Sequence, residues 1–224
     1  MSPDPAAELR TLHTVRLLGF AETAEVAART GLDAAGVREQ LLDHEALGRV
    51  TRPAGAGTVG AGTAGAGTVG AAPDGWAVTD AGRAHDDHLL AAELAATPGA
   101  ADALRAAYAE LRPLDARLRH ACTDWQLRPT GADPFAANDH TDTTWDATLL
   151  VELVSIRRSL RPLAAWLTAT LPRFDGYADR FAHALDRALG GDPTWVTGAG
   201  VDSCHAVWSE LHDDLVTTLG LADA

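Results

Sequence analysis

Side chains suited to ligand binding or proton transfer lie in three short segments of the second half of the chain. The first is Cys122-Thr123-Asp124-Trp125-Gln126, the second runs from 138 to 146 and the third from 204 to 212. Each segment sets a tryptophan beside carboxylate, thiol or imidazole groups. Because ligand pockets are mostly apolar with a few polar groups, we expect a site for an aromatic or anionic ligand there. The candidate ligand-binding residues are Asp124, Trp125, Asp139, His140, Trp145, His205, Trp208 and His212.

The third segment has helical spacing. Its apolar and titratable residues recur at intervals of three and four, which places them along one face of a helix: Val201, His205, Trp208, His212 and Leu215. The alternative interpretation is plain core packing, in which each indole N–H donates to a nearby acceptor. The sequence leaves both interpretations open.

Metal binding and covalent catalysis have weaker sequence support. His205 and His212 are seven residues apart, so on a helix their backbones lie roughly 10 Å apart, too far for one ion. The chain has no Cys-x-x-Cys or His-Glu-x-x-His motif. An enzyme in which Asp139, His140, Cys204 and His205 share a cleft is an alternative hypothesis, although a buried cysteine is most often a small apolar residue. We therefore predict no metal, no cofactor and no catalytic residue.

Composition limits the class of protein. The chain has 224 residues, 46% of them hydrophobic, and a formal net charge of −13. All 18 basic residues are arginine. A net negative charge opposes unspecific binding to DNA, so any DNA contact must come from local patches. No apolar run is long enough to span a membrane and no signal peptide is visible, so we expect a cytoplasmic protein with reduced cysteines.

The first 52 residues predict three helices. Leucine and valine recur every three residues up to Leu18, and Gly19 predicts the end of the first helix. A second helix is expected over 24–30, and Asp33 is a suitable N-cap for a third that ends before Gly48. The short turn between the second and third helices is typical of a helix-turn-helix motif.

Two strands follow, joined by a low-complexity connection. Residues 49–52 and 76–79 read as strands, and 53–75 is a Gly/Ala-rich insertion in which Gly-Ala-Gly-Thr-Val-Gly occurs twice. The repeat matches a dinucleotide-binding pattern, but that fold requires a helix directly after the glycines, whereas residues 71–75 and a second strand follow here. We interpret the segment as an expanded hairpin tip. The next helix is expected to be capped by Thr79 or Asp80.

The remainder of the chain predicts helices only. Thr97-Pro98-Gly99 marks a boundary between domains of residues 1–97 and 98–224. Helices are expected over 100–111 and 114–125, with Pro113 beginning the second, then over 144–171 with a kink or break at Pro162, over 177–189 and over 201–219. Such a set suggests an all-α helical bundle.

The N-terminal pattern resembles a known family. The runs Ala24-Glu25-Val26-Ala27, Leu47-Gly48-Arg49-Val50 and Trp76-Ala77-Val78-Thr79-Asp80-Ala81-Gly82-Arg83 resemble winged-helix transcription regulators of the MarR and PadR type, over about residues 8–96. The resemblance implies a mainly α protein: an N-terminal winged helix of three helices plus a two-stranded wing, followed by a helical sensor or dimerisation domain. It also implies a homodimer on a palindromic double-stranded DNA operator, with a small-molecule effector.

The resemblance places the third helix in the DNA major groove. Arg38 is then suited to guanine and Gln40 to adenine, and three further arginines are suited to phosphates: Arg29, Arg49 and Arg52. However, residues 33–47 contain four acids and one arginine, and residues 1–97 contain thirteen acids and seven arginines. The alternative hypothesis is therefore an interaction module that uses its winged helix to bind a protein.

Overall fold

The computed structural model describes residues 4–52, 75–131 and 133–221. The chain divides into two compact units, Met1–Ala96 and Thr97–Ala224. The described residues are mainly helical, with one small antiparallel sheet of three strands. None of the described helices is both long enough and apolar enough to cross a membrane.

Unit 1 alternates helices with very short strands. Its elements are α1 (Pro5–Leu18), β1 (Ala21–Glu22), α2 (Thr23–Thr30), α3 (Ala34–Ala46), β2 (Val50–Thr51), β3 (Gly75–Val78) and α4 (Asp80–Ala96). Local signals set several of the ends. The Asp33 carboxylate accepts from the Gly36 N–H at 3.1 Å and caps α3, and the Thr79 hydroxyl accepts from the Gly82 N–H at 3.1 Å and caps α4. The predicted caps of these two helices are thus confirmed.

The sheet has β3 at its centre. β3 pairs antiparallel with β1, where Ala21 lies opposite Trp76, and with β2, where Val50 lies opposite Val78. The prediction of two strands was therefore incomplete, because β1 has only two residues and shows no alternating pattern of its own. Of the predicted insertion 53–75, residues 53–74 lie outside the described residues and Gly75 begins β3.

The core of unit 1 lies between the three helices of the first half and the sheet. Its largest member is Trp76, which is fully buried and donates its indole N–H to the Thr23 hydroxyl at 3.0 Å. Each of α1, α2, α3 and all three strands contributes buried side chains to it: Leu12, Val15, Ala21, Val26, Val37, Leu41, Val50, Trp76 and Val78. The packing leaves the opposite face of α3 exposed.

Unit 2 is a set of helices. They are α5 (Ala100–Gln126), α6 (Thr143–Thr170), α7 (Tyr177–Leu189), α8 (Thr194–Thr197) and α9 (Cys204–Thr218), with a 3₁₀ turn at Pro172–Phe174. The predicted helix break before Pro113 was wrong, because α5 continues through it, and α6 likewise continues through Pro162. A proline inside a helix costs about 3 kcal/mol. The buried leucines on both sides of each proline offset this cost by packing α5 against α6.

Candidate functional site

The outward face of α3 is the surface that the sequence analysis assigned to DNA. Val37, Leu41 and His44 are buried against the core. The exposed residues on the opposite side include Arg38, Glu39, Leu42 and Asp43. This face therefore combines one cation with two carboxylates and an apolar side chain.

The residues predicted to read or hold DNA lie in different environments. Arg38 is exposed on α3, and Arg29 is half-buried near the end of α2. Gln40 is half-buried, and its side-chain oxygen is buried without a hydrogen-bond partner among the described residues. In this conformation the Gln40 amide does not present both its acceptor and its donor outward, as a two-bond contact with adenine requires.

Arg49 and Arg52 both contact carboxylates of unit 1. The Arg49 guanidinium lies 3.3 Å from Glu8, and Arg52 donates two hydrogen bonds of 2.8 Å to Glu45. Arg52 also lies 5.3 Å from the centroid of the Trp76 ring. A phosphate bound by either arginine must therefore share or replace a carboxylate.

A buried polar network joins α1 to α4, and the sequence analysis did not identify it. Asp86 is fully buried and accepts from the His13 Nδ1 and from Arg16, both at 2.9 Å. Arg16 also bonds to the exposed Asp87. Because a buried carboxylate needs a cationic partner, this network stabilises the position of α4 on α1.

His44, on the inner side of α3, lies beside a second polar group, the pair of His85 and Glu8. It is buried, and its Nδ1 has no hydrogen-bond partner among the described residues. The ring of His85 lies 6.1 Å away, and His85 Nε2 lies 2.9 Å from Glu8. Burial lowers the pKa of the His44 imidazole, which favours its neutral form.

In unit 2, several of the predicted ligand residues converge where the α5–α6 loop returns to the helix ends. The loop is held by a bridge between Leu127 and Ala137 and by the bond from the Asn138 N–H to the Gln126 carbonyl at 2.8 Å. An ion pair between Arg128 and Asp142 closes its base. The loop is thus held by main-chain hydrogen bonds and a charge pair.

His140 is the centre of this cluster. Its φ of 58° is left-handed, which is uncommon for a residue other than glycine. Its Nδ1 lies 3.0 Å from the Asp146 carboxylate, and its ring centroid lies 4.7 Å from that of Trp125. Because a carboxylate accepts hydrogen bonds, its contact favours a proton on the Nδ1 of His140.

Asn138 and Asp146 complete the cluster, although neither was a predicted ligand residue. Asn138 donates to the Asp146 carboxylate at 2.9 Å and to the Trp125 carbonyl at 3.1 Å. The indole of Trp145 donates to the Asp124 carbonyl at 2.9 Å. Two features of the sequence pointed to these partners, namely the Asn–x–His spacing and the carboxylate six residues after His140.

Asp139 lies apart from this cluster. It is exposed and accepts hydrogen bonds from the Thr141 hydroxyl at 2.7 Å and from the Thr141 N–H at 3.1 Å. These bonds lower the pKa of its carboxyl group. Asp139 therefore closes a local turn next to His140.

The predicted stripe on α9 divides among three environments. Trp208 is buried and donates to the Asp115 carboxylate at 3.0 Å, His212 lies 5.9 Å from the ring of Tyr108, and His205 is exposed. In the described part of the chain, no hydrogen bond, ion pair or ring contact joins these residues to His140. The eight predicted ligand residues are thus not brought together in one site.

The thiols do not support covalent catalysis. Cys122 and Cys204 are both free and buried, and burial raises the pKa of each thiol to about 12. At neutral pH both are protonated and therefore weak nucleophiles.

Within the described ranges, no group of three histidine, cysteine or acidic side chains is arranged to hold a metal ion.

A cleft between α5 and α6 was not predicted from the sequence. It has a volume of about 440 Å³, and both mid-helix prolines and Trp166 line it. Trp166, on α6, is 40% exposed. A proline near the middle of each neighbouring helix was the signal available in the sequence.

The chain matches no family model, no curated protein and no solved structure. Its function must therefore be inferred from the topology of unit 1 and from the chemistry of the surfaces described above.

Proposed function

We propose that the protein is a DNA-binding transcriptional regulator, with unit 1 as a winged helix and unit 2 as a ligand-sensing or dimerisation domain. The observation that carries the proposal is the element order of unit 1, helix-strand-helix-helix-strand-strand, with β3 paired between β1 and β2. In a winged helix this arrangement exposes the third helix to the DNA major groove. In winged helices generally, the connection between the last two strands contacts the DNA backbone.

The helix pair α2 and α3 supports the proposal. Three residues, 31–33, separate the two helices, and Gly31 takes the left-handed conformation that ends α2. α3 has 13 residues, a length of about 20 Å, and its outward side carries Arg38. A second copy related by a twofold axis supplies a second α3 for a palindromic operator.

The charges around α3 predict how the affinity for DNA divides between unspecific and sequence-selective binding. Arg49 and Arg52 are paired with Glu8 and Glu45, and the outward face of α3 carries two carboxylates. Few phosphates are therefore neutralised, and unspecific affinity is low. We expect the sequence-selective part of the binding to come mainly from Arg38.

A fluorescence titration of the full chain tests this proposal. The probes are its own upstream promoter duplex and a scrambled duplex, between about 50 and 200 mM salt. We expect selective binding that weakens as salt rises, and a loss of about tenfold or more in selective affinity for Arg38→Ala. Equal, salt-insensitive binding of both duplexes would contradict it.

A charge variant tests the role of the Glu45–Arg52 pair. Glu45→Gln removes the carboxylate that competes with phosphate for Arg52, so the salt dependence should steepen by about 0.9 in the slope of log K against log salt. Asp102→Asn removes the same charge from an exposed site in unit 2 and is the matched control. An unchanged slope for Glu45→Gln would place Arg52 outside the interface.

A second candidate function is a protein-binding module, and one observation favours it. Leu42 and Leu47 are 40% and 61% exposed, next to Glu39 and Asp43. Such a surface suits a basic partner with apolar side chains. A stoichiometric protein that binds the wild type and is lost with Leu42→Ser, while no DNA is retained, would favour this candidate.

A further inference from the structure

The α5–α6 cleft of unit 2 has the size of a small-molecule site. Its volume of about 440 Å³ lies within the range of about 300–1,000 Å³ typical of ligand pockets. Pro113 and Leu114 line it from α5, and Pro162, Leu163 and Trp166 line it from α6. Its lining is therefore mainly apolar, with one large aromatic side chain.

Glu110 and Trp166 add a negative charge and an aromatic face. Glu110 is an exposed lining residue without a hydrogen bond or ion pair among the residues that the structure describes. The Trp166 side chain is 40% exposed, and its ring is accessible at the cleft. A cation is attracted both to a carboxylate and to the face of an indole.

The charge of Arg117, which also lines the cleft, is already balanced. Its Nε donates to the Glu152 carboxylate at 2.7 Å, and its Nη2 donates to the Ser155 hydroxyl at 2.9 Å. The Glu110 carboxylate is therefore the unbalanced charge of the lining. The apolar lining, the aromatic face and this charge favour a positively charged, partly apolar ligand.

We propose that this cleft binds a small organic cation, an ammonium group carried on an apolar or aromatic body. The ammonium lies against Glu110, and the apolar body packs on Trp166, Leu114 and Leu163. This ligand site in unit 2 is additional to the DNA binding proposed for unit 1, and the tests of the two proposals are independent.

Calorimetric titration of the full chain with three benzyl compounds tests the ligand class. The probes are benzyltrimethylammonium, benzyl alcohol and phenylacetate, which share one ring and differ in charge. We expect the cation to bind about tenfold more tightly than the alcohol, as a cation–π contact with a nearby carboxylate implies, and phenylacetate to bind weakest. Equal binding of all three probes would overturn the proposal, and so would tightest binding of phenylacetate.

Two variants locate the site. Glu110→Gln should remove most of the preference for the cation and leave benzyl alcohol unaffected, and Trp166→Leu should weaken both probes. Asp102→Asn, an exposed carboxylate on the same helix, is the matched control and should keep the wild-type preference. Circular dichroism verifies that each variant keeps its helix content. A cation preference unchanged by Glu110→Gln would refute the assignment.

Discussion

The environment of Glu210 predicts how the stability of unit 2 depends on pH. Its side chain, on α9, is only 11% exposed and accepts two hydrogen bonds from Arg180 on α7, at 2.9 and 2.6 Å. Arg180 also donates to Asp202 at 3.0 Å, so one guanidinium serves two carboxylates. The nearby Asp214 adds further negative charge.

Burial dominates the titration of this group. Burial, with smaller contributions from Asp202 and Asp214, raises the pKa of Glu210 to about 7, above the ordinary value of 4.5, against the opposing effect of Arg180. The folded state therefore binds the proton more tightly than the unfolded state. The resulting stabilisation is fully present below about pH 4.5 and is lost as the pH rises to about 7, which amounts to about 3 kcal/mol in the free energy of unfolding.

The comparison of wild type with Glu210→Gln isolates this contribution. Urea unfolding is measured for both proteins at a series of pH values between about 4 and 8, and the difference between their unfolding free energies is plotted against pH. We expect the wild type to lose about 3 kcal/mol relative to the variant across this range. Asp179→Asn, an exposed carboxylate on α7, should run parallel to the wild type and is the control.

The direction in which this difference in unfolding free energy changes with pH shows whether burial or the ion pair with Arg180 dominates the pKa of Glu210. If the wild type instead gains stability relative to Glu210→Gln as the pH rises, Arg180 holds the carboxylate in its charged form and lowers its pKa. The argument that burial exceeds the ion pair would then be refuted.

Two further predictions concern unit 1. Gly82→Ala should lower the free energy of unfolding by about 1–3 kcal/mol, because a Cβ there would lie 1.9 Å from the Arg49 carbonyl oxygen. Gly36→Ala is the control and should be neutral or stabilising, because its Cβ would meet only ordinary contacts. Thermal unfolding of both variants measures the two effects. Asp86→Asn should cost about 3 kcal/mol because it removes the buried carboxylate charge to which His13 and Arg16 both bond. The exposed Asp87→Asn should cost less than about 1 kcal/mol, and equal losses for the two asparagine variants would contradict the role given to burial.

Local chemistry in the sequence predicted most elements of unit 1. Asp33 and Thr79 cap their helices as expected, and Gly31 ends α2. These signals act over a few residues, so no tertiary contact is needed to predict them. The spacing of leucine and valine up to Leu18 likewise predicted the first helix, which ends at Leu18 in the structure.

The candidate sites depended more on contacts between distant segments. The sequence named Trp125 and His140 as candidate ligand-binding residues. Their contacts with Asn138 and Asp146 form where the loop returns onto α6. The stripe on α9 was expected to form one surface. Packing against α5 buried Trp208 and left His205 exposed instead.

The sequence by itself determined the helix caps, the apolar faces and the net negative charge of unit 1, because each depends on neighbouring residues or on composition. Tertiary structure decided that α5 and α6 continue through Pro113 and Pro162, since the energy of packing two long helices exceeds the loss of one hydrogen bond in each. It also paired Arg49 with Glu8, 41 residues away in the chain. Contacts at such separations are created by folding, and no local pattern in the sequence encodes them.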